Sequence, residues 1–484
     1  MPSPPRKLIV GHMLDVLAPN FHRVFTRWAG QYGGIYRISV MGFPGVVVSD
    51  PEAVSHILGR AGCIDLPKHT ASYQVLDLLW GNKGAHSIFT SLSNEDWRDV
   101  RKAVSSSFSS VNVRQKFPIA TQKAHSLADA IAAVGSKQSV DMDEAGMRLT
   151  LDIVGLAGFG HDFGAVSLGE NRVITTLPHA LEECQRRMTN PLQWLNFWTK
   201  ESRDAMKCVY EFRQIIAALV AEMKARGPPP DSDTSVGAQL LRLRDPKTGA
   251  PLPDHKLAAE VGTFIMGGFE TTAHTLSFTL FCIATNPAVK AGVLAELDKL
   301  GLVARARQPA RELKWDDLAK MTYRGNVLKE SMRMFPVVAG VPRYTTQPTQ
   351  IGPYKVPKGV FVYVLFHHLH NSPGNWSDPD VFNPDRWLDD DEMYYQPAAD
   401  GMADDKDANR FKKFLPFSEG PRSCIGQNMA MMELKAGIAT LCARFDFQLA
   451  PEMGGVQGVI GSEIMALTLH TRHGIRMHCT PHMQ

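Results

Sequence analysis

Apolar positions along this 484-residue chain recur mostly at helical spacing, with a few short stretches that alternate instead. Residues 35–48 (Ile35-Tyr36-Arg37-Ile38 and Gly45-Val46-Val47-Val48) alternate or run apolar around Gly42-Phe43-Pro44-Gly45 and predict a β-hairpin. Residues 351–365 predict a second hairpin, turning at Pro357-Lys358-Gly359. Ser49-Asp50-Pro51-Glu52 has the composition of a helix start. Residues 60–92 are mixed and glycine-dotted, which predicts a long loop with short helices, and loops of that length tend to be functional. Asn94 is placed to cap a helix with an acidic first turn. From about 112 to 225 helical periodicity dominates, and the small residues of 151–160 favour close helix–helix contact. Residues 188–200 set Trp194 and Trp198 near Pro191, a lid, a membrane-dipping loop or plain core. Gly227-Pro228-Pro229-Pro230 is a loop, and Ile464-Met465-Ala466-Leu467 predicts a strand turn.

The longest predicted helix opens at Pro253-Asp254 and closes at Asn286-Pro287. It covers about 30 residues, roughly 45 Å at 1.5 Å per residue. Val261 to Thr285 is apolar enough to pass for a membrane span, but Glu270, His274 and several threonines mid-span would be costly against lipid. A buried central helix is the prediction. Its middle, Gly267-Gly268-Phe269-Glu270-Thr271-Thr272, breaks helix propensity. Each glycine costs about 1 kcal/mol relative to alanine, and a buried acid costs more unless it has a partner. Such violations mark functional sites. Glu270 and Thr271 form an acid–alcohol pair able to relay protons from water.

Residues 417–430 read as a tight loop running into a helix. Gly420 and Gly426 permit unusual backbone or the close approach of a flat object. Cys424 lies just ahead of the helix, where unpaired N–H groups and the macrodipole favour a thiolate. Arg422 offers a planar fork to a carboxylate. An iron-binding sulfur beside a cation for a haem propionate is the chemistry this pattern points to.

The pattern F-x-x-G-x-R-x-C-x-G, from Phe417 to Gly426, resembles the haem-binding loop of the cytochrome P-450 family without a mismatch. The resemblance implies Cys424 as proximal iron ligand and Arg422 as propionate partner, with Phe417 and Gly426 in the cofactor loop. Gly268-Phe269-Glu270-Thr271-Thr272 matches the family's distal motif. Gly267 and Gly268 would open a kink with room for dioxygen, and Thr271 with Glu270 would deliver protons. One branch of the family carries glutamate at the position of Gly267 and attaches haem covalently. Glycine there implies haem b (iron protoporphyrin IX), non-covalent apart from the Cys424–iron bond. Trp97 and Arg101 are i,i+4 neighbours matching the family's W-x-x-x-R and, with Arg343, are implied propionate contacts. Glu330 and Arg333 are an i,i+3 pair, and Phe382-Asn383-Pro384-Asp385-Arg386 resembles the segment that adds Arg386 to a structural network. Phe89, Phe264, Phe269, Val337, Val338 and Leu467 would line an apolar substrate pocket.

The resemblance runs from the first residues to the final strands. It implies a mainly α fold, with a long central helix over haem and a small β-sheet region, as one catalytic domain over 1–484. The implied reaction is monooxygenation of a lipid, sterol, terpenoid, carotenoid or xenobiotic with O2. Electrons would come from a flavoprotein NADPH reductase, with cytochrome b5 or a ferredoxin as other donors. A thiolate-haem isomerase or dehydratase of hydroperoxides, or a haem sensor, is the alternative, and neither needs Thr271 with Glu270.

Composition narrows this further. With 52 Lys+Arg against 49 Asp+Glu the formal charge is +3, which speaks against a nucleic-acid binder. Seven scattered cysteines without C-x-x-C fit a reduced compartment. Met1-Pro2-Ser3-Pro4-Pro5-Arg6-Lys7 resembles the proline-rich hinge that follows an anchor helix in membrane-bound members. That implies a membrane surface, at the cytosolic face of the endoplasmic reticulum if an anchor preceded it, with plastid or soluble cytoplasm as alternatives. Lys412 and Lys413, with Arg98, Arg101, Lys102 and Arg422, form either a docking patch for an acidic redox partner or a solvated charge run. His367-His368-x-His370 has no carboxylate or cysteine at ligand spacing and is not read as a metal site.

Overall fold

The computed structural model describes residues 1–81, 86–92, 95–167, 169–190, 192–245, 248–304, 309–389, 393–395 and 411–482. It divides into two compact units, Met1–His69 with Asn326–Cys424, and Thr70–Gly325 with Ile425–Gln484.

The first unit holds a four-stranded sheet ordered Ile35–Val40, Phe43–Val48, Phe361–Leu365, Gly340–Tyr344. The first pair is the expected hairpin, but its turn is Met41-Gly42, with φ of 49° and 87°. Two consecutive positive φ values match the right-handed twist of the strands. Pro44 and Gly45 therefore fall inside the second strand rather than in the turn. The second expected hairpin is also corrected. Thr349–Ile351 pairs with Tyr354–Val356 across Gly352 (φ 53°), and Pro357-Lys358-Gly359 leads instead into the larger sheet. Val46, Val48, Ile57, Leu58, Val362 and Leu415 are part of this unit's core.

The second unit is mainly helical. Its long helix, Asp254–Thr285, has 32 residues and stays helical through Gly267-Gly268. It lies against the helix Met142–Val154, and small residues set how close the two come. A Cβ on Gly146 would stand 3.0 Å from the Ala273 carbonyl oxygen, and one on Gly268 would stand 2.9 Å from Val154 Cγ2. A strand outside the prediction, Ser139–Asp141, pairs with Arg476–Pro481. Among the described residues no single helix is long and apolar enough to cross a membrane. Plain core is excluded for the tryptophan segment: Phe197 and Trp198 are 69% and 58% exposed.

Candidate functional site

The cysteine loop is shaped by its backbone. Cys424 N–H donates to the Phe417 carbonyl at 2.9 Å, Ser423 N–H to Gly420 at 3.1 Å and Ser418 N–H to Leu415 at 3.1 Å. Ser418 and Gly420 both have positive φ, 59° and 72°. A Cβ on Gly420 would sit 2.0 Å from the Leu58 carbonyl oxygen, so glycine is required there twice over. Gly426, at φ −85°, needs no such freedom; it is the N-cap of the helix Gln427–Arg444. Of the seven cysteines only Cys424 is exposed. Burial pushes Cys184, Cys442 and Cys479 up to about 12, far from thiolate chemistry. Arg422 and Phe417 are half-buried in the same loop, and Arg343 is buried in the strand Gly340–Tyr344.

Between Ala259 and Ile283 the long helix is buried except at Phe264, Gly267, Gly268 and Thr271. Those positions follow i, i+3, i+4, i+7 spacing, one stripe on one face. Gly267 is exposed, and a Cβ added to it would meet nothing within 4 Å. Thr271 Oγ1 donates to the Gly267 carbonyl at 2.9 Å. Taken each by itself, an exposed thiol ahead of a helix suits an iron ligand, and an open backbone stripe ending in a hydroxyl suits the face of a flat macrocycle such as haem. Phe269 lies off the stripe with no exposed surface, packed in the core, so it does not line open space. Phe89, Phe264 and Leu467 are partly buried against that core, and Val337 and Val338 are partly buried in the first unit.

Glu270 faces inward, toward groups not singled out from the sequence. Thr468 Oγ1 donates to its Oε2 at 2.8 Å, and His274 Nε2 stands 4.0 Å from Oε1. His274 Nδ1 lies 3.4 Å from Asp143 Oδ1. Asp143 also accepts from Ser277, and from Thr471 at 3.2 Å. The ring of His470 stacks on His274 at 5.3 Å. Burial alone would depress His274, yet its hydrogen bond to Asp143 and the nearby carboxylate of Glu270 carry it up to about 10. Burial likewise pushes Glu270 upward, but His274 and Thr468 hold it below the usual carboxylate range.

Glu330, Arg333 and Arg386 meet as a buried network in the first unit. Glu330 accepts from Arg333 Nε and Nη2 at 2.9 Å and from Arg386 Nε at 3.0 Å. Two further donors complete it: the Asn383 N–H and the Trp387 indole, both at 3.0 Å. Trp97 is buried, with Arg101 over its ring at 5.7 Å. Asn94 and Pro191 lie outside the described residues. Lys413 leaves the basic patch, because it is buried, donating to Asn375 at 2.7 Å over the Trp376 ring. His367 and His368 bond Thr26 and Ser49, and His370 accepts the Leu415 N–H at 2.8 Å, all three buried.

A protein family described as Cytochrome P450 matches residues 1–471. Protein LUTEIN DEFICIENT 5, chloroplastic, of Arabidopsis thaliana is 28% identical over 93% of this chain and 72% of its own length. Carotene epsilon-monooxygenase, chloroplastic, of the same plant is 27% identical over 96% and 82%. Cytochrome P450 4F3 of Rattus norvegicus is 27% identical over 91% and 83%.

Proposed function

We propose that this chain, which belongs to the cytochrome P450 family and is a haem-thiolate monooxygenase, oxidises an extended apolar substrate, carotenes being the first class to test. The balance is RH + O2 + 2 electrons + 2 protons → ROH + H2O. Cys424 holds the iron of haem b, the remaining contacts being non-covalent. That ligand assignment rests on one observation: a single exposed thiol ahead of a helix, with the other cysteines shielded to differing degrees. Bound haem supplies the binding and reductive cleavage of dioxygen; this chain supplies ligand, protons, orientation and water control.

Arg343, Arg422, Trp97 and Arg101 hold the propionates, and Gly267 and Gly268 leave room above the ring. Thr271 orients a proton donor toward the reacting oxygen, and Glu270 recharges it. Phe89, Phe264, Val337, Val338 and Leu467 exclude water and align the substrate. Support for carotenes comes from the names of the chloroplast relatives, which also favour a plastid address over the endoplasmic reticulum. A separate flavoprotein or ferredoxin delivers the electrons. The exposed Trp194, Leu195, Phe197 and Trp198, flanked by Lys200 and Arg203, seat the protein on an anionic membrane surface. Flotation with anionic but not neutral vesicles tests that seat.

The decisive experiment is the carbon monoxide spectrum of the reduced protein, read beside Cys424→Ala. A sulfur-ligated haem band that Cys424→Ala abolishes is expected, and a band that survives the substitution sinks the assignment. β-Carotene is then screened by the iron spin-state shift.

A further inference from the structure

Glu270 and His274 stand one turn apart on the long helix, Asp143 comes from the first turn of Met142–Val154, and Thr468 and His470 from the strand Thr468–Thr471. All are buried or nearly so. Two carboxylates in such a place would ordinarily take up protons, because burial disfavours charge. Here an imidazole lies between them, and three hydroxyls (Ser277, Thr468, Thr471) donate to the carboxylates.

The spacing is uneven. On the Asp143 side the ring is within hydrogen-bond reach, at 3.4 Å. On the Glu270 side it is 4.0 Å away, and among the described residues Nε2 has no hydrogen-bond partner. Glu270 is thus tied by one hydroxyl and attracted by one cation it does not touch. A carboxylate so held keeps a defined orientation yet can swing with little loss.

We propose that His274 is a positioning residue for proton delivery: as an imidazolium anchored on Asp143, it keeps Glu270 ionised and turned toward Thr468, and so sets the pH range in which Glu270 serves as the relay acid. This rests on the monooxygenase reading. The titratable groups facing His274 are Glu270 on its own helix, Asp143 on the neighbouring helix with Asp141 beside it, and His470 stacked on the ring. Burial and the charge on His274 depress His470, leaving His274 as the cation of the cluster.

The test compares the haem-loaded protein with His274→Gln, Glu270→Gln and the double variant. Each is checked for the thiolate-haem spectrum and then supplied with reductase and NADPH without added substrate. The fraction of electrons recovered as hydrogen peroxide is followed from pH 6 to 9. In the parent this fraction stays flat, since His274 holds its proton to about 10. In His274→Gln it rises severalfold and acquires an inflection, as Glu270 loses its counter-charge and titrates. Glu270→Gln gives a high, flat profile, and the double variant matches it because both act through one carboxylate. A flat, parent-like profile for His274→Gln, or a double variant worse than Glu270→Gln, overturns the proposal. A parent without the thiolate-haem spectrum overturns the monooxygenase reading instead.

Unfolding gives a second readout, independent of turnover. The His274 proton is held more tightly in the fold, so its stabilisation is complete below about 6.5 and lost as pH rises through about 10. His274→Gln removes that slope; parallel curves for parent and variant refute the charge state. Should His274→Gln fail to fold, Thr468→Val keeps every charge and should raise the peroxide fraction in the same direction. No change there also counts against the proposal.

Discussion

Glu330→Gln probes the network of the first unit. The carboxylate receives four hydrogen bonds from side chains and one from the Asn383 backbone, and both Glu330 and Arg333 are fully buried. A glutamine keeps one acceptor oxygen but turns an NH2 toward donors, leaving at least one buried guanidinium nitrogen facing a donor. Breaking a buried ion pair costs about 3–5 kcal/mol, and each buried donor left without an acceptor about 1–3 kcal/mol. The terms share one carboxylate and do not add, so about 4 kcal/mol is the working figure. That is a large part of the roughly 5–15 kcal/mol that holds a folded domain. At roughly 2–4 °C per kcal/mol for a unit of 150–250 residues, Tm should fall by about 10 °C. Differential scanning calorimetry measures it, with the haem spectrum recorded in parallel. A Tm within about 2 °C of the parent would refute the view that this carboxylate is the keystone of that network.

Gly267→Ala should raise the Tm of the haem-free chain, by about 1 kcal/mol of helix propensity, because its Cβ meets nothing within 4 Å. Gly268→Ala should not, since its Cβ crowds Val154 at 2.9 Å and overpacking costs about 1–3 kcal/mol; thermal melts of the pair decide. Gly420→Ala should lower both Tm and the yield of thiolate-haem spectrum, because the methyl collides with the Leu58 carbonyl. Burial, reinforced by Asp143, raises the Asp141 carboxyl to about 6, so its ionisation weakens the fold: this stability is present below about 4 and lost as pH climbs through 6. Asp141→Asn keeps the N-cap oxygen and should stabilise at pH 8, by up to about 3 kcal/mol, with little effect at pH 4; melts at the two pH values test it.

Local chemistry made much of the fold legible. Pro253 and Asn286-Pro287 mark the two ends of the long helix, because proline and the residue before it are restricted in φ and ψ. Glu330 and Arg333 could be paired from spacing alone, since i and i+3 share a helix face. The same rule could have removed Phe269 from the proposed pocket: Phe264, Gly267, Gly268 and Thr271 share a face that it does not. Other features had no local signal. The hairpin register depends on Met41 accepting a positive φ, which is uncommon for such a side chain. Lys413 reads as a surface charge until Asn375 and Trp376 are seen around it. Asp143 and Thr468 reach Glu270 and His274 from more than a hundred residues away, so only the folded chain brings them together.

The hydroxyl of Thr271 spends its hydrogen on the Gly267 carbonyl, one turn back in its own helix. Turning that hydrogen outward forfeits a bond worth about 0.5–1.5 kcal/mol net, which a neutral acceptor hardly offsets and an anionic one more than restores. In the proposed monooxygenase the helix would act as a latch that responds to charge: it would keep the proton parked while nothing negative has formed nearby, and let it turn once something has. Timing of this kind asks for no moving loop, only a threonine one turn past an open glycine.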